Sequence, residues 1–174
     1  IRSGETLVVK GPNGSGKTTL LRILSNYFKS YQGKVLFDGL NILEDPLYNT
    51  KFNFVGQKNS LKSNLSVKKN FILWDILFNT SINHIKLLKE NNFDNLINRD
   101  VDTLSDGQKK YISLHRLNYK NYDLWFLDEP FVFLDEDNSK LLINRINKFN
   151  DNKGIVILTS NIELTNKFHK EIRI

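Results

Sequence analysis

The run Gly11-Pro12-Asn13-Gly14-Ser15-Gly16-Lys17-Thr18 follows a short β-rich segment and opens a helical one. Glycines at these spacings let the backbone curl so that successive N–H groups face one point, and the helix adds the positive end of its dipole there. Such a loop cradles the phosphates of a nucleoside triphosphate. Lys17 has the reach to meet the β- and γ-phosphates, and the Thr18 hydroxyl can ligate Mg²⁺. Gly11 to Thr19 is therefore the candidate nucleotide loop.

A second chemical element is Leu124-Trp-Phe-Leu-Asp128-Glu129-Pro130. An apolar strand ending in two acids delivers them to the carboxyl edge of a sheet, where open α/β folds bind ligands. Asp128 is expected to hold Mg²⁺ through water. Glu129 is expected to orient and deprotonate an attacking water. A third element, Leu104-Ser105-Asp106-Gly107-Gln108, opens a helix, and by itself reads as an N-cap with Ser105 as the capping residue.

These residues need a scaffold that holds strand ends side by side. Thr6–Lys10, Lys34–Asp38, Lys51–Val55, Leu124–Asp128 and Ile155–Thr159 read as strands, with Lys170–Ile174 as one more. Leu20, Leu21, Ile23, Leu24 and Phe28 recur at helical spacing, as do Leu141, Leu142, Ile146 and Phe149, and a further helix is expected from Asp106 to Asn118. Short all-apolar strands alternating with helices imply a mostly parallel sheet covered on both faces. Between about 60 and 104 the pattern changes to helices only, with Val67, Phe71, Trp74, Leu77 and Phe78 in one and Ile82, Ile85, Leu87 and Leu88 in the next. That stretch reads as a helical subdomain inserted in one α/β domain spanning 1–174. Phe71, Trp74 and Phe78 read as its core stripe, with a sharper alternative that part of the stripe forms a groove for a partner's helix.

With 174 residues and 40% hydrophobic composition, the chain can bury one ordinary core. It has no Cys, which excludes disulfides, thiolate metal sites and a thiol nucleophile. The net charge of +6 comes from scattered lysines; with no Ala and 23 Asn it reflects compositional bias more than a nucleic-acid footprint, so no nucleic-acid partner is expected. No apolar run exceeds four residues, far short of the roughly 20 needed to span a bilayer. The chain opens at Ile1 in the approach to a strand, and is expected to be a fragment lacking its N-terminal strands.

Taken together, the three motifs resemble the ATP-binding subunits of ABC (ATP-binding cassette) transporters, over nearly the whole chain. The resemblance implies an α/β fold of the P-loop NTPase kind, with ATP and Mg²⁺ as cofactors and ATP hydrolysis as the activity. It makes Leu104–Gln108 the signature motif, so that Ser105, Gly107 and Gln108 of one subunit close on ATP held by the other's Gly11–Thr19 loop in a head-to-tail dimer. It assigns Gln57 as the residue that senses Mg²⁺ and the γ-phosphate near the transporter contact, and Phe131–Asp135 as the loop after the acids. An adenine-stacking aromatic would lie ahead of Ile1. The family's histidine after the last core strand is replaced: aligning Ile157-Leu-Thr-Ser-Asn161 puts Asn161 there, and none of His84, His115 or His169 stands at that position. Asn can donate a hydrogen bond but carries no titratable proton, so ATP binding and dimer closure are expected to survive while hydrolysis slows.

Gln57 to Phe71, Leu124 to Phe131 and Gly154 to Leu158 further resemble the haem-exporter ATPases of cytochrome c maturation. That implies integral membrane transporter subunits as partners, and a peripheral place on the cytoplasmic face of a bacterial inner membrane or the matrix face of the mitochondrial one. No haem ligand is evident in the chain. Two other readings are a nucleotide-gated dimerising module with little turnover, favoured by Asn161, and a soluble ABC ATPase of nucleic-acid metabolism. The insertion is short for the second of these.

Overall fold

The computed structural model describes residues 1–161 and 168–174. Two compact units emerge. One comprises Ile1–Gln57, Tyr122–Phe131 and Glu136–Ile174; the other comprises Lys58–Asn121 and Val132–Asp135.

The first unit is built on a parallel sheet of β1 (Thr6–Lys10), β4 (Phe52–Val55), β5 (Leu124–Leu127), β6 (Ile155–Ser160) and β7 (Lys170–Arg173), in the order β4-β5-β6-β1-β7. The fold is that of an α/β P-loop NTPase. Successive residues of the central strands are buried, Phe126 and Leu127 on β5 and Val156 and Leu158 on β6 among them, so both sheet faces are covered. One face packs Val9, Phe126 and Ile157 against Leu21 of α1 (Lys17–Leu24) and against Ile42 and Tyr48. On the other, Trp125 lies flat on Phe149 of α5 (Glu136–Asp151), with ring centroids 3.8 Å apart and planes 4° from parallel.

Lys34–Asp38 does not form a sheet strand. Only Leu36–Phe37 (β2) is extended, and it pairs antiparallel with Leu40–Asn41 (β3) in a separate ribbon. Asp38 and Gly39 between them have φ of 50° and 80°, the two positive values of a tight hairpin turn. A chain reversed after two residues cannot continue as a long strand.

The second unit is helical: α2 (Val67–Phe78), α3 (His84–Lys89) and α4 (Asp106–Leu114), with two 3₁₀ turns, Asp94–Leu96 and Val101–Thr103, between α3 and α4. Its range extends past 104 and takes in α4. Ser66 caps α2 by accepting from the Lys69 N–H, and Asn79 ends it in the left-handed region at φ 51°. Phe71 and Trp74 are buried in a cluster with Val67, Leu88, Leu96, Val101 and Ile112, and Phe78 packs at its edge. The stripe is thus core, and the groove alternative for it falls; the exposed apolar residues of α2 are Ile72, Leu73, Ile76 and Leu77.

Candidate functional site

The carboxyl ends of β1, β5 and β6 lie side by side because these strands pair in parallel, Val9 beside Thr159 and Leu127 beside Leu158. Everything that leaves those ends in the same direction meets at one edge. The loop Gly11–Gly16 leaves β1 there, Asp128-Glu129 leaves β5, and Asn161 follows β6. Gln57 follows β4 at the same edge and is exposed, as is Thr19.

The loop is shaped by what its glycines allow. Gly16 stands at the N-cap of α1 with φ 101°, a conformation that strains any residue with a Cβ. A Cβ on Gly11 would run into the Ser15 side chain and the Ile174 carbonyl. No side chain caps α1 and no acid lies in its first turn, so its positive end is left for an external anion. Ser15 Oγ is buried without a hydrogen-bond partner, as expected of a donor that waits for a ligand.

Lys17 is buried and leans back into the loop, donating to the carbonyls of Gly11 (2.8 Å) and Pro12 (3.1 Å) and pairing with the Glu129 carboxylate at 3.3 Å. The other Glu129 oxygen accepts from the Asn161 N–H at 3.2 Å, and the Asn161 side chain donates to Asn13 Oδ1 at 3.4 Å. Thr18 Oγ1 donates to the Asp128 carboxylate, 2.9 and 3.1 Å from its two oxygens, across 110 residues of sequence. Asp128 and Glu129 are both buried neighbours. A hydroxyl beside a buried carboxylate is the hard-oxygen donor set that Mg²⁺ prefers. Among the described residues no three His or acidic groups cluster to hold a metal by themselves.

The candidate residues therefore fall in two places. Gly11 to Thr19, Gln57, Asp128, Glu129 and Asn161 belong to the sheet unit, while Ser105, Gly107 and Gln108 open α4 in the helical unit. There Ser105 and Gln108 form a reciprocal capping box: Ser105 Oγ accepts from the Gln108 N–H at 3.2 Å, and Gln108 Oε1 accepts from the Ser105 N–H at 3.1 Å. The capping role occupies an acceptor site of the hydroxyl and leaves its proton available to donate. Gly107 admits close packing: a Cβ there would lie 2.7 Å from the Phe133 carbonyl oxygen. The three histidines lie outside the nucleotide edge. His84 and His115 sit in the helical unit, and His169 Nδ1 accepts from the Thr6 N–H at the start of β1.

The ABC transporter family model matches residues 1–132. The chain belongs to the ABC transporter family. It is 34% identical over 164 residues to the cytochrome c biogenesis ATP-binding export protein CcmA of Legionella pneumophila (strain Lens), covering 93% of this chain and 82% of that protein. To CcmA of Wolbachia pipientis it is 34% identical, over 88% of this chain and 74% of that one. Among solved structures, a putative ABC transporter ATP-binding protein from Pyrococcus furiosus superposes with a TM-score of 0.82 at 27% identity, covering 99% of this chain and 86% of that one. A dimeric ATP-binding cassette in a post-hydrolysis state, bound to ADP and Pi, superposes with a TM-score of 0.75 at 25% identity, over 92% and 77% of the two chains. This ABC chain is an ATP-binding subunit, and no helix among its described residues is long and apolar enough to cross a membrane.

Sequence reasoning missed one member of the site. Thr159 bonds both acids at once: its hydroxyl donates to Asp128 Oδ1 and accepts from the Glu129 N–H, each at 2.8 Å. The available signal is the hydroxyl pair Thr159-Ser160 at the carboxyl end of an otherwise apolar strand.

Proposed function

We propose that the chain is the ATP-hydrolysing subunit of a membrane complex of the haem-exporter, cytochrome c maturation kind. The observation that carries the hydrolytic reading is the buried Lys17–Glu129 contact of 3.3 Å beside the Thr18–Asp128 pair. A phosphate-binding cation and an acid suited to be a base occupy one edge, where a γ-phosphate would lie between them. The haem-exporter reading rests on the 34% identity to CcmA proteins over most of the chain.

In this reading 1–174 is a single ABC-type nucleotide-binding domain, and its inserted helical subdomain, 60–104, is the part of the helical unit that precedes α4. The phosphates enter the Gly11–Thr19 loop, and Lys17 exchanges the Gly11 and Pro12 carbonyls for phosphate oxygens. That exchange frees Glu129 to accept a proton from water as the water oxygen bonds to the γ-phosphorus and the bond to the ADP oxygen breaks. Thr18, Gln57 and Asp128 hold Mg²⁺, which when bound neutralises charge on the phosphate oxygens. Asn161 donates to the γ-phosphate where the family has histidine. Ser105, Gly107 and Gln108 of a second copy close over the nucleotide, the free proton of Ser105 directed at it. Integral transporter subunits hold the dimer on the cytoplasmic or matrix face of the membrane.

The Mg²⁺-dependent ATPase rate of the full chain tests this, beside Glu129→Gln and Asn161→His. Turnover that Glu129→Gln lowers by about 10²- to 10⁴-fold, with ATP binding retained, is the expected result. Tight ATP binding without turnover, with activity gained in Asn161→His, would favour the second reading, a nucleotide-gated clamp. Asn161 is the observation behind that alternative.

A further inference from the structure

Thr159 is the penultimate residue of β6 (Ile155–Ser160) and is wholly buried. Its hydroxyl has one proton to give and lone pairs to receive. Here it gives the proton to Asp128 Oδ1 at 2.8 Å and receives the Glu129 N–H at 2.8 Å. Asp128 is thereby gripped from two sides, by Thr159 in the neighbouring strand and by Thr18 from α1. The Glu129 backbone sits at φ 47°, a strained region that residues with a Cβ rarely occupy. The Thr159 acceptor meets the very N–H that this bend turns toward β6. On the other side of the bend, the Glu129 carboxylate reaches Lys17 and the Asn161 N–H.

We propose that Thr159 is a positioning residue for Mg²⁺·ATP chemistry, fixing the Asp128 carboxylate toward Thr18 and the bent Glu129 backbone toward Lys17 through one hydroxyl. The inference deepens the proposed ATPase reading and rests on it. A hydroxyl that only satisfies a buried amide would matter for folding and nothing else. One that orients the acids must also change how much Mg²⁺ strengthens ATP binding and how fast the bound complex turns over. The nucleotide loop itself is untouched, so ATP affinity without Mg²⁺ should not move.

The test compares Thr159→Val, which keeps the shape and removes the hydroxyl, with Thr159→Ser, which keeps the hydroxyl. In the full chain, calorimetric ATP affinity is measured with Mg²⁺ and with EDTA, alongside kcat, KM and Tm. Thr159→Val is expected to reduce the Mg²⁺ enhancement of ATP affinity and kcat each by about 10-fold or more, the worth of a hydrogen bond to a charged group. Its EDTA affinity should be unchanged, and Thr159→Ser should stay within about 3-fold of the parent. If Thr159→Val does not fold, Thr159→Cys, a weak donor of similar size, takes its place with the same expectation. A lower Tm with an unchanged Mg²⁺ enhancement and kcat overturns the proposal, as does a serine variant as impaired as valine. If the parent binds Mg²⁺·ATP without hydrolysing it, the ATPase reading fails, yet the Mg²⁺ enhancement of the two variants still decides whether Thr159 sets Asp128. If the parent binds ATP equally with Mg²⁺ and EDTA, both ideas fall.

Discussion

Each unit of the molecule buries a cluster of polar side chains, and the two clusters are finished differently. In the helical unit His84 Nε2 meets the Asp75 carboxylate at 2.9 and 3.1 Å, and Thr80 donates to the same acid. The Tyr119 hydroxyl lies 3.3 Å from His84 Nε2 and 3.3 Å from the Phe71 carbonyl, with burial first and the Asp75 charge second holding its proton on well above the usual tyrosine range. His84 stacks on Phe71 at 4.4 Å. Apart from His84 Nδ1, this cluster uses its hydrogen-bonding groups on itself. At the sheet edge the groups are satisfied provisionally: Lys17 on backbone carbonyls that need no cation, Thr18 on an acid, and Ser15 Oγ on nothing. A cluster whose partners can all be exchanged for phosphate oxygens is a binding site. One closed on its own carboxylate and aromatic rings is a fastener.

The contrast predicts that truncation changes ATP affinity in one cluster and not in the other. The largest effect belongs to Lys17→Ala, which should weaken ATP binding by on the order of 100-fold, the scale of a charge-assisted bond to phosphate, and, by leaving the buried Glu129 carboxylate without its cation, also lower Tm. Calorimetric titration alongside thermal melting checks it, and an unchanged ATP affinity would break the distinction outright. His84→Ala should cost stability alone. Loss of the Asp75 and Tyr119 contacts and of the ring stack costs about 2–3 kcal/mol, lowering Tm by roughly 5–10 °C while ATP affinity stays at the parent value. A fall in affinity without a fall in Tm would mean that the helical cluster is part of the functional site.

The smallest effect sharpens the comparison from outside both clusters. Lys140 pairs with Glu136 on α5 at 2.7 Å, but both side chains are exposed. The Lys140 hydrogen bond holds the Glu136 carboxyl below the ordinary glutamate value. Any stability it adds is present above the unfolded carboxylate range and is lost as pH falls through the lowered folded value. Exposed pairs contribute little, so Lys140→Ala should melt within the scatter of the parent at pH 7, and the two curves should coincide in acid.

Much of the fold was legible because its signals are local. Glycines, a lysine and a threonine at fixed spacing define the loop and the start of α1. An unbroken apolar run followed by two acids defines β5 and its edge. The 3.6-residue recurrence marks α2, and Ser105 caps α4 as its place before Asp106 implies, while the reciprocal bond to Gln108 emerges only in the structure. The hairpin at Asp38-Gly39 was also written in the chain as a turn dipeptide, but the apolar run before it suggested a longer strand than two residues. The compact helical unit runs past the Asn-rich breaks to include α4, because Ile112 and Tyr119 bury against Phe71 and Trp74. No local pattern announces which neighbouring helix will fill a core.

The chemistry on offer is written in the chain itself: a phosphate loop, and two acids at a strand end. Those follow from side-chain type and spacing over a few residues, and short segments have few ways to satisfy them. That Lys17 rests on Glu129, that Thr18 faces Asp128, and that the Thr159 hydroxyl joins the two acids emerges only in the folded chain. These contacts depend on the order β5-β6-β1 in the sheet, and strand order is set by how whole helices and strands bury their apolar faces together, a sum over the chain that no single segment carries.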